Sequence, residues 1–139
     1  DLVREFRAHV RSLLDLSSSV VPELTARLVC LDLRAKDAVL FAPNFGGADL
    51  ENDELEGAVL EHAHIECGNL RYALFKYTRL ENVSLRGANL EGANFEGAVL
   101  DRVNLLSVRG LDQAIGLGKA EIISPLVSEK EKKVLARIV

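Results

Sequence analysis

The sequence predicts an all-β repeat fold, a solenoid, and three observations predict it. From Leu40 to Leu105 a bulky apolar residue stands at every fifth position: Leu40, Phe45, Leu50, Leu55, Leu60, Ile65, Leu70, Phe75, Leu80, Leu85, Leu90, Phe95, Leu100 and Leu105. Two residues earlier the side chain is usually small, as at Ala38, Ala48, Ala58, Ala63, Gly68, Ala73, Ala88, Ala93 and Ala98. A period of five fits neither the 3.6 of a helix nor the 2.0 of a strand. It is an internal repeat, and it sets the architecture before any local propensity is consulted.

A five-residue unit buries nothing alone, so its apolar residue must stack on copies above and below. Extended backbone rises roughly 3.3 Å per residue, so five residues make one short side and a turn. If four sides close a coil, residues twenty apart lie over one another at the strand spacing of about 4.8 Å and form parallel ladders. The large residue and the small one before it point inward, and the other three point out.

Stretches such as GANLEGANFEGAVL, Gly87 to Leu100, resemble the pentapeptide-repeat family, whose unit reads A-(D/N)-L-x-x. The resemblance covers about half the chain and implies a right-handed, four-sided parallel β-helix. Both the four-sidedness and the handedness come from the resemblance; the period alone allows other solenoids. Sorted by twenty, the centres fall into four columns: Leu40, Leu60, Leu80, Leu100; Phe45, Ile65, Leu85, Leu105; Leu50, Leu70, Leu90; and Leu55, Phe75, Phe95. That is about 3.5–4 regular coils, a stub roughly 17 Å long. So short a solenoid needs covered ends.

The flanks are expected to supply the covers, so the chain divides into a helical cap over 1–27, an irregular first coil over 28–39, the repeat β-helix over 40–107 and a helical cap over 108–139. Leu2, Phe6, Val10, Leu13 and Leu14 make a helical stripe that Ser17, Ser18 and Ser19 end. Pro22 and Glu23 suit the first turn of a second short helix. Asp112 to Ile115 reads as a helical turn broken by Gly116 and Gly118. Ser128 with Glu131 is a capping box, followed by an apolar stripe at Val134, Leu135 and Ile138. This last helix either folds back over the final coil or meets a second copy of the chain, a homodimer.

Charge is unevenly placed. Residues 44–107 hold eleven acids and five Lys or Arg, whereas 108–139 hold six bases and four acids. An acidic barrel disfavours direct nucleic-acid binding and repels an anionic membrane. No run is long enough to span a membrane. The chain has no Met, which suggests a processed product or a fragment, and no secretory pattern. Cys30 and Cys67 form no redox or disulfide motif, so a reducing cytoplasm is the expected compartment.

His62, His64 and Cys67 spell H-x-H-x-x-C, but the coil spreads them over successive corners, so no metal and no cofactor is expected. Asp53 occupies an inward small-residue position; it is expected to turn to water or to bond turn amides at a bulged corner, with a tuned acid as the alternative. Gly116, Gly118 and Lys119 lack the remaining residues of a phosphate-binding loop, and no nucleophile has a base and an orienting group. No enzyme is expected.

Two features point to a surface. Tyr72 and Tyr77 stand at outward corners beside glycines, as contact anchors or as space-fillers. Glu61, Glu81 and Asp101 form one acidic column, while Glu51, Arg71, Glu91 and Glu56, Lys76, Glu96 alternate in sign and should pair between rungs. The expected function is a non-enzymatic scaffold presenting a rigid acidic surface to a protein partner. Two alternatives remain. The resemblance brings in DNA mimicry that protects a type II topoisomerase, although this barrel is short and basic residues interrupt two faces. The other is a structural segment of a larger protein.

Overall fold

Side chains twenty residues apart do stack, because each five-residue unit closes one side of a coil and turns. The computed structural model describes residues 17–18, 20–21 and 34–138. They form a four-sided parallel β-solenoid followed by one helix. On one face, β1 (Val20–Val21), β2 (Val39–Phe41), β3 (Val59–Glu61), β4 (Arg79–Glu81), β5 (Val99–Asp101) and β6 (Glu121–Ile123) make a parallel sheet in sequence order. Leu40, Leu60, Leu80, Leu100 and Ile122 are register partners along it. The other faces are joined by single parallel bridges, such as Asn69 to Asn89, Leu74 to Asn94 and Ser84 to Asn104.

All fourteen predicted centres are fully buried, together with the small residues two before them. Phe75 and Phe95 stack with ring centroids 5.2 Å apart and planes 5° from parallel. Each such Leu or Phe contributes about 1.5–3 kcal/mol.

The corners explain the rest of the repeat. On three of the four faces the centre's carbonyl accepts from the N–H three residues on, as from Ala73 to Leu70 and from Ala98 to Phe95. From Asp37 to Ser107, every fifth residue, two after each centre, has φ between 50° and 72°. A positive φ at the third turn residue alone is the type II requirement. Just before the centre, an Asn or Asp oxygen accepts the N–H two residues ahead: Asp49 from Glu51, Asn69 from Arg71, Asn89 from Glu91 and Asn94 from Glu96, at 3.0–3.2 Å. This local bond pins the turn and gives the amide its place in the unit.

The ends differ from expectation. Residues 34–39, expected to be irregular, already follow the coil: Arg34 bridges Glu54 and Asp37 takes the corner conformation. Ser18 takes it too, and Val20 and Val21 pair with Val39 and Leu40. This part of the expected N-terminal helical cap is therefore solenoid. The expected helices around Leu2–Leu14 and Pro22–Glu23 lie outside the described residues.

At the other end the solenoid runs past residue 107 instead of giving way to helix. Asn89 bridges Arg109 at the usual spacing of twenty, but Asn94 bridges Ile115 and Asn104 bridges Leu126. Extra residues are taken up by 3-10 turns at Leu111–Gln113 and Leu117–Lys119, so the expected helical turn at Asp112 is one of these. Among the described residues only α1 (Glu129–Ile138) is α-helical. It folds back, with Val134, Leu135 and Ile138 against the core.

Glu131, only 4% exposed, joins helix to coil. Its carboxylate accepts from Ser128 Oγ at 2.7 Å, from Ser128 N–H at 3.1 Å and from Ser107 N–H at 3.4 Å. Earlier corners give that N–H to a carbonyl of the next coil, as Gly87 does to Leu106. A capping-box carboxylate replaces that carbonyl where the coil ends.

Candidate functional site

Six large apolar or aromatic side chains are exposed among the described residues. Val20, Ile115, Ile123 and Leu126 lie in the first or last described coil, and Tyr72 and Tyr77 stand mid-barrel. The two tyrosines occupy successive corners and so flank a single face, with half-buried Leu74 and Lys76 between them. Tyr72 is 44% and Tyr77 64% exposed, so each residue presents part of its surface to solvent.

What holds them is glycine. A Cβ on Gly92 would strike Tyr72 Cδ1 and Cε1, and one on Gly97 would fall 2.5 Å from Tyr77 Cδ1. Each ring thus fills the space of a missing side chain one coil onward. Both glycines sit at φ near 70°, which a side chain adopts at a cost. Arg71 lies 5.5 Å from the Tyr72 ring centroid and Lys76 lies 5.8 Å from that of Tyr77, within cation–π range. The Arg71 Nε is 3.2 Å from Glu91. Glu91 first, and the Tyr72 side chain second, hold the guanidinium above its ordinary pKa. Two aromatic rings, two cations and an acid are thereby fixed around one flat side. The space-filling and contact-anchor readings of these tyrosines are compatible, since the packed ring is also the exposed one.

The acidic column stacks as expected but carries arginine. Glu61, Glu81 and Asp101 are register partners. The next corner's Arg102 reaches back to Glu81 at 3.2 Å and to Asp101 at 3.2 Å, and Arg79 lies 3.7 Å from Glu81. The column is acidic as expected, but its charge is partly offset, because a guanidinium two residues from a rung centre spans two rungs. Of the alternating columns, Arg71 pairs with Glu91, while Glu96 pairs at 3.9 Å with Lys119 instead of Lys76. Such exposed pairs are worth under about 1 kcal/mol each.

Asp53 departs from expectation too. Its corner does not bulge, since its N–H bonds the Leu50 carbonyl at 3.1 Å, and the residue is 3% exposed instead of turned to water. Burial alone supplies no nucleophile or substrate cleft around it. His62 and Cys67 stand at separate exposed corners, and His64 Nδ1 lies 3.3 Å from Glu66. No group of three potential metal ligands converges among the described residues. No described helix is long and apolar enough to cross a membrane. Sequence reasoning placed the tyrosines beside glycines but missed the pairing of Arg102 with Glu81 and Asp101.

Residues 78–108 match the family model for pentapeptide repeats, in eight copies. No curated protein sequence matches the chain. Among solved structures, the chain is similar to a pentapeptide repeat protein from the cyanobacterium Cyanothece 51142, with 27% identity and a TM-score of 0.52 over 67% of this chain and 58% of that one. It is also similar to HetL, a pentapeptide repeat protein involved in heterocyst differentiation regulation from the cyanobacterium Nostoc sp. strain PCC 7120. That match has 27% identity and a TM-score of 0.55 over 81% of this chain and 48% of HetL. The chain thus spans about half the length of these two structures. Its units over residues 78–108 match pentapeptide repeats, and its solenoid has the β-helix fold of the pentapeptide-repeat structures it is similar to.

Proposed function

We propose that this chain is a non-enzymatic scaffold that binds a protein partner through the side flanked by Tyr72 and Tyr77. The observation that carries this reading is the pair of exposed rings held in place by Gly92 and Gly97. Tyrosine offers large contact area with few torsions to freeze, and rings already packed lose little more entropy on binding. Glu61, Glu81 and Asp101, on the adjoining face, then serve as a rim that orients the partner by charge. A self-supporting ladder of backbone bonds keeps both faces rigid.

The alternative of DNA mimicry fares less well. A duplex carries one charge per about 1.7 Å, while this column has one acid per rung of about 4.8 Å. Arg79 and Arg102 then offset two of its three acids.

The test is a pull-down from lysate of the source cells, with wild type against Tyr72→Ala/Tyr77→Ala and Glu61→Lys/Glu81→Lys chains of verified fold. A partner lost with the tyrosines supports the proposal. A type II topoisomerase lost only with the charge reversals would favour mimicry. Absence of any partner would leave a structural segment of a larger protein as the better reading.

A further inference from the structure

The C-terminal end of the solenoid is closed unevenly. α1 packs against the turn at Leu111–Gln113, and Leu111 and Leu117 are buried. Ile122, which continues the inward column above Leu100, stays only half-buried. β6 is the last strand of its sheet, and no strand among the described residues pairs with its outer edge. In each earlier coil the corner N–H of this face reaches a carbonyl one coil onward: Ala42 to Glu61, His62 to Glu81, Asn82 to Asp101 and Arg102 to Ile123. Ser124 holds that corner in the last coil, with φ at 47°, and no described coil lies beyond it. Ile122, Pro125, Lys132, Leu135 and Ala136 line a shallow groove of about 310 Å³ at this end. Ile123 and Leu126, next in sequence to its lining residues, are 38% and 53% exposed.

We propose that this end is a second docking site, where an extended segment of a partner protein adds to the outer edge of β6. Its apolar side chains enter the groove and an acidic residue meets Lys132. An unpaired strand edge is satisfied by extended backbone, which fixes the conformation of the occupant. Alternation then puts every second side chain of that segment on the groove side. Four of the five lining residues are apolar, which sets what those side chains are. Lys132 is the only charged residue in the lining; exposed Lys133 and Arg137 add positive charge on the same helix while exposed Glu129 and, on β6, Glu121 offset it, so the partner's acid is placed at Lys132 itself. The site is independent of the tyrosine-flanked side, and either can fail alone.

The experiment titrates the isotope-labelled full chain with a short synthetic peptide of alternating Val and Thr carrying a Glu at each end, followed by amide NMR. The expected result is saturable, submillimolar binding with shifts confined to residues 121–126 and 132–136. N-methylation of alternate peptide amides should weaken it about tenfold or more by removing the ladder bonds, and Lys132→Glu about fivefold. Tyr72→Ala/Tyr77→Ala should leave it unchanged. Three results would overturn the proposal: no saturation, equal binding of the N-methylated peptide, or a free chain that is already dimeric with β6 amides protected. In the last case a second copy occupies the edge.

Discussion

Replacing Gly97 with alanine should destabilise the protein mainly when Tyr77 is present. Two terms oppose one. An L-residue at φ +71° costs about 1–2 kcal/mol. The new Cβ would lie 2.5 Å from Tyr77 Cδ1, so the ring must leave its rotamer, at about 1 kcal/mol. Against these, alanine restricts the unfolded chain and returns roughly 0.5–1 kcal/mol. The net expectation is about 1–2.5 kcal/mol in the wild-type background. With Tyr77→Ala the ring term vanishes and only about 0–1.5 kcal/mol remains. The coupling, about 1 kcal/mol, is read from a double-mutant cycle of urea melts followed by circular dichroism. Thermal midpoints should shift in the same order. An equal cost of Gly97→Ala in both backgrounds, within about 0.3 kcal/mol, would refute the claim that the glycine seats the ring.

Other consequences are equally specific. Leu70→Asp places a carboxylate in a column between Leu50 and Leu90, and should cost about 4 kcal/mol or more, read as loss of the cooperative melt. Glu131 is held below its ordinary value of 4.5, first by the Ser128 hydroxyl and then by the Ser128 and Ser107 amides. A carboxylate so depressed contributes stability that is fully present above the unfolded pKa and lost as pH falls through the folded one. Protection of the Ser107 and Ser128 amides, taken relative to their intrinsic exchange rates, should therefore fall below about pH 4.5. Glu131→Gln should remove that pH dependence and cost about 1 kcal/mol at neutral pH in stability measured by urea.

The core was legible in the sequence because a strict period needs no propensity to be seen, and every centre from Leu40 to Leu105 is buried. The ends were less legible for a definite reason. Leu111, Leu117 and Ile122 continue the core, but extra residues held in 3-10 turns break the spacing by which they would be recognised. At the start, Ala35 is buried yet too small to register as a centre. The left-handed corners were hidden because ten of the fifteen from Asp37 to Ser107 are not glycine. There the backbone bonds to neighbouring coils impose a conformation that the residues do not prefer.

The candidate site was legible only in part. Position modulo twenty put Tyr72 under Gly92 and Tyr77 under Gly97, but not which way the rings lean. The acidic column was read rung by rung, and the long reach of Arg102 across two rungs lies outside such a count. For Asp53 the expected bulge and exposure to water were wrong, because the hydrogen-bonded turn holds with a carboxylate at the inward position.

The spacing of twenty underlies every surface described, and one cross-link tests it directly. A Cβ on Gly87 would fall 3.2 Å from Cys67 Sγ, so Gly87→Cys in a Cys30→Ser chain should form a disulfide with Cys67 on mild oxidation. Intact mass and thiol titration would show both thiols lost without dimerisation, while Gly92→Cys, one corner further on, should retain both. A free thiol pair at Cys67 and residue 87, or cross-linking as ready from residue 92, would contradict the register.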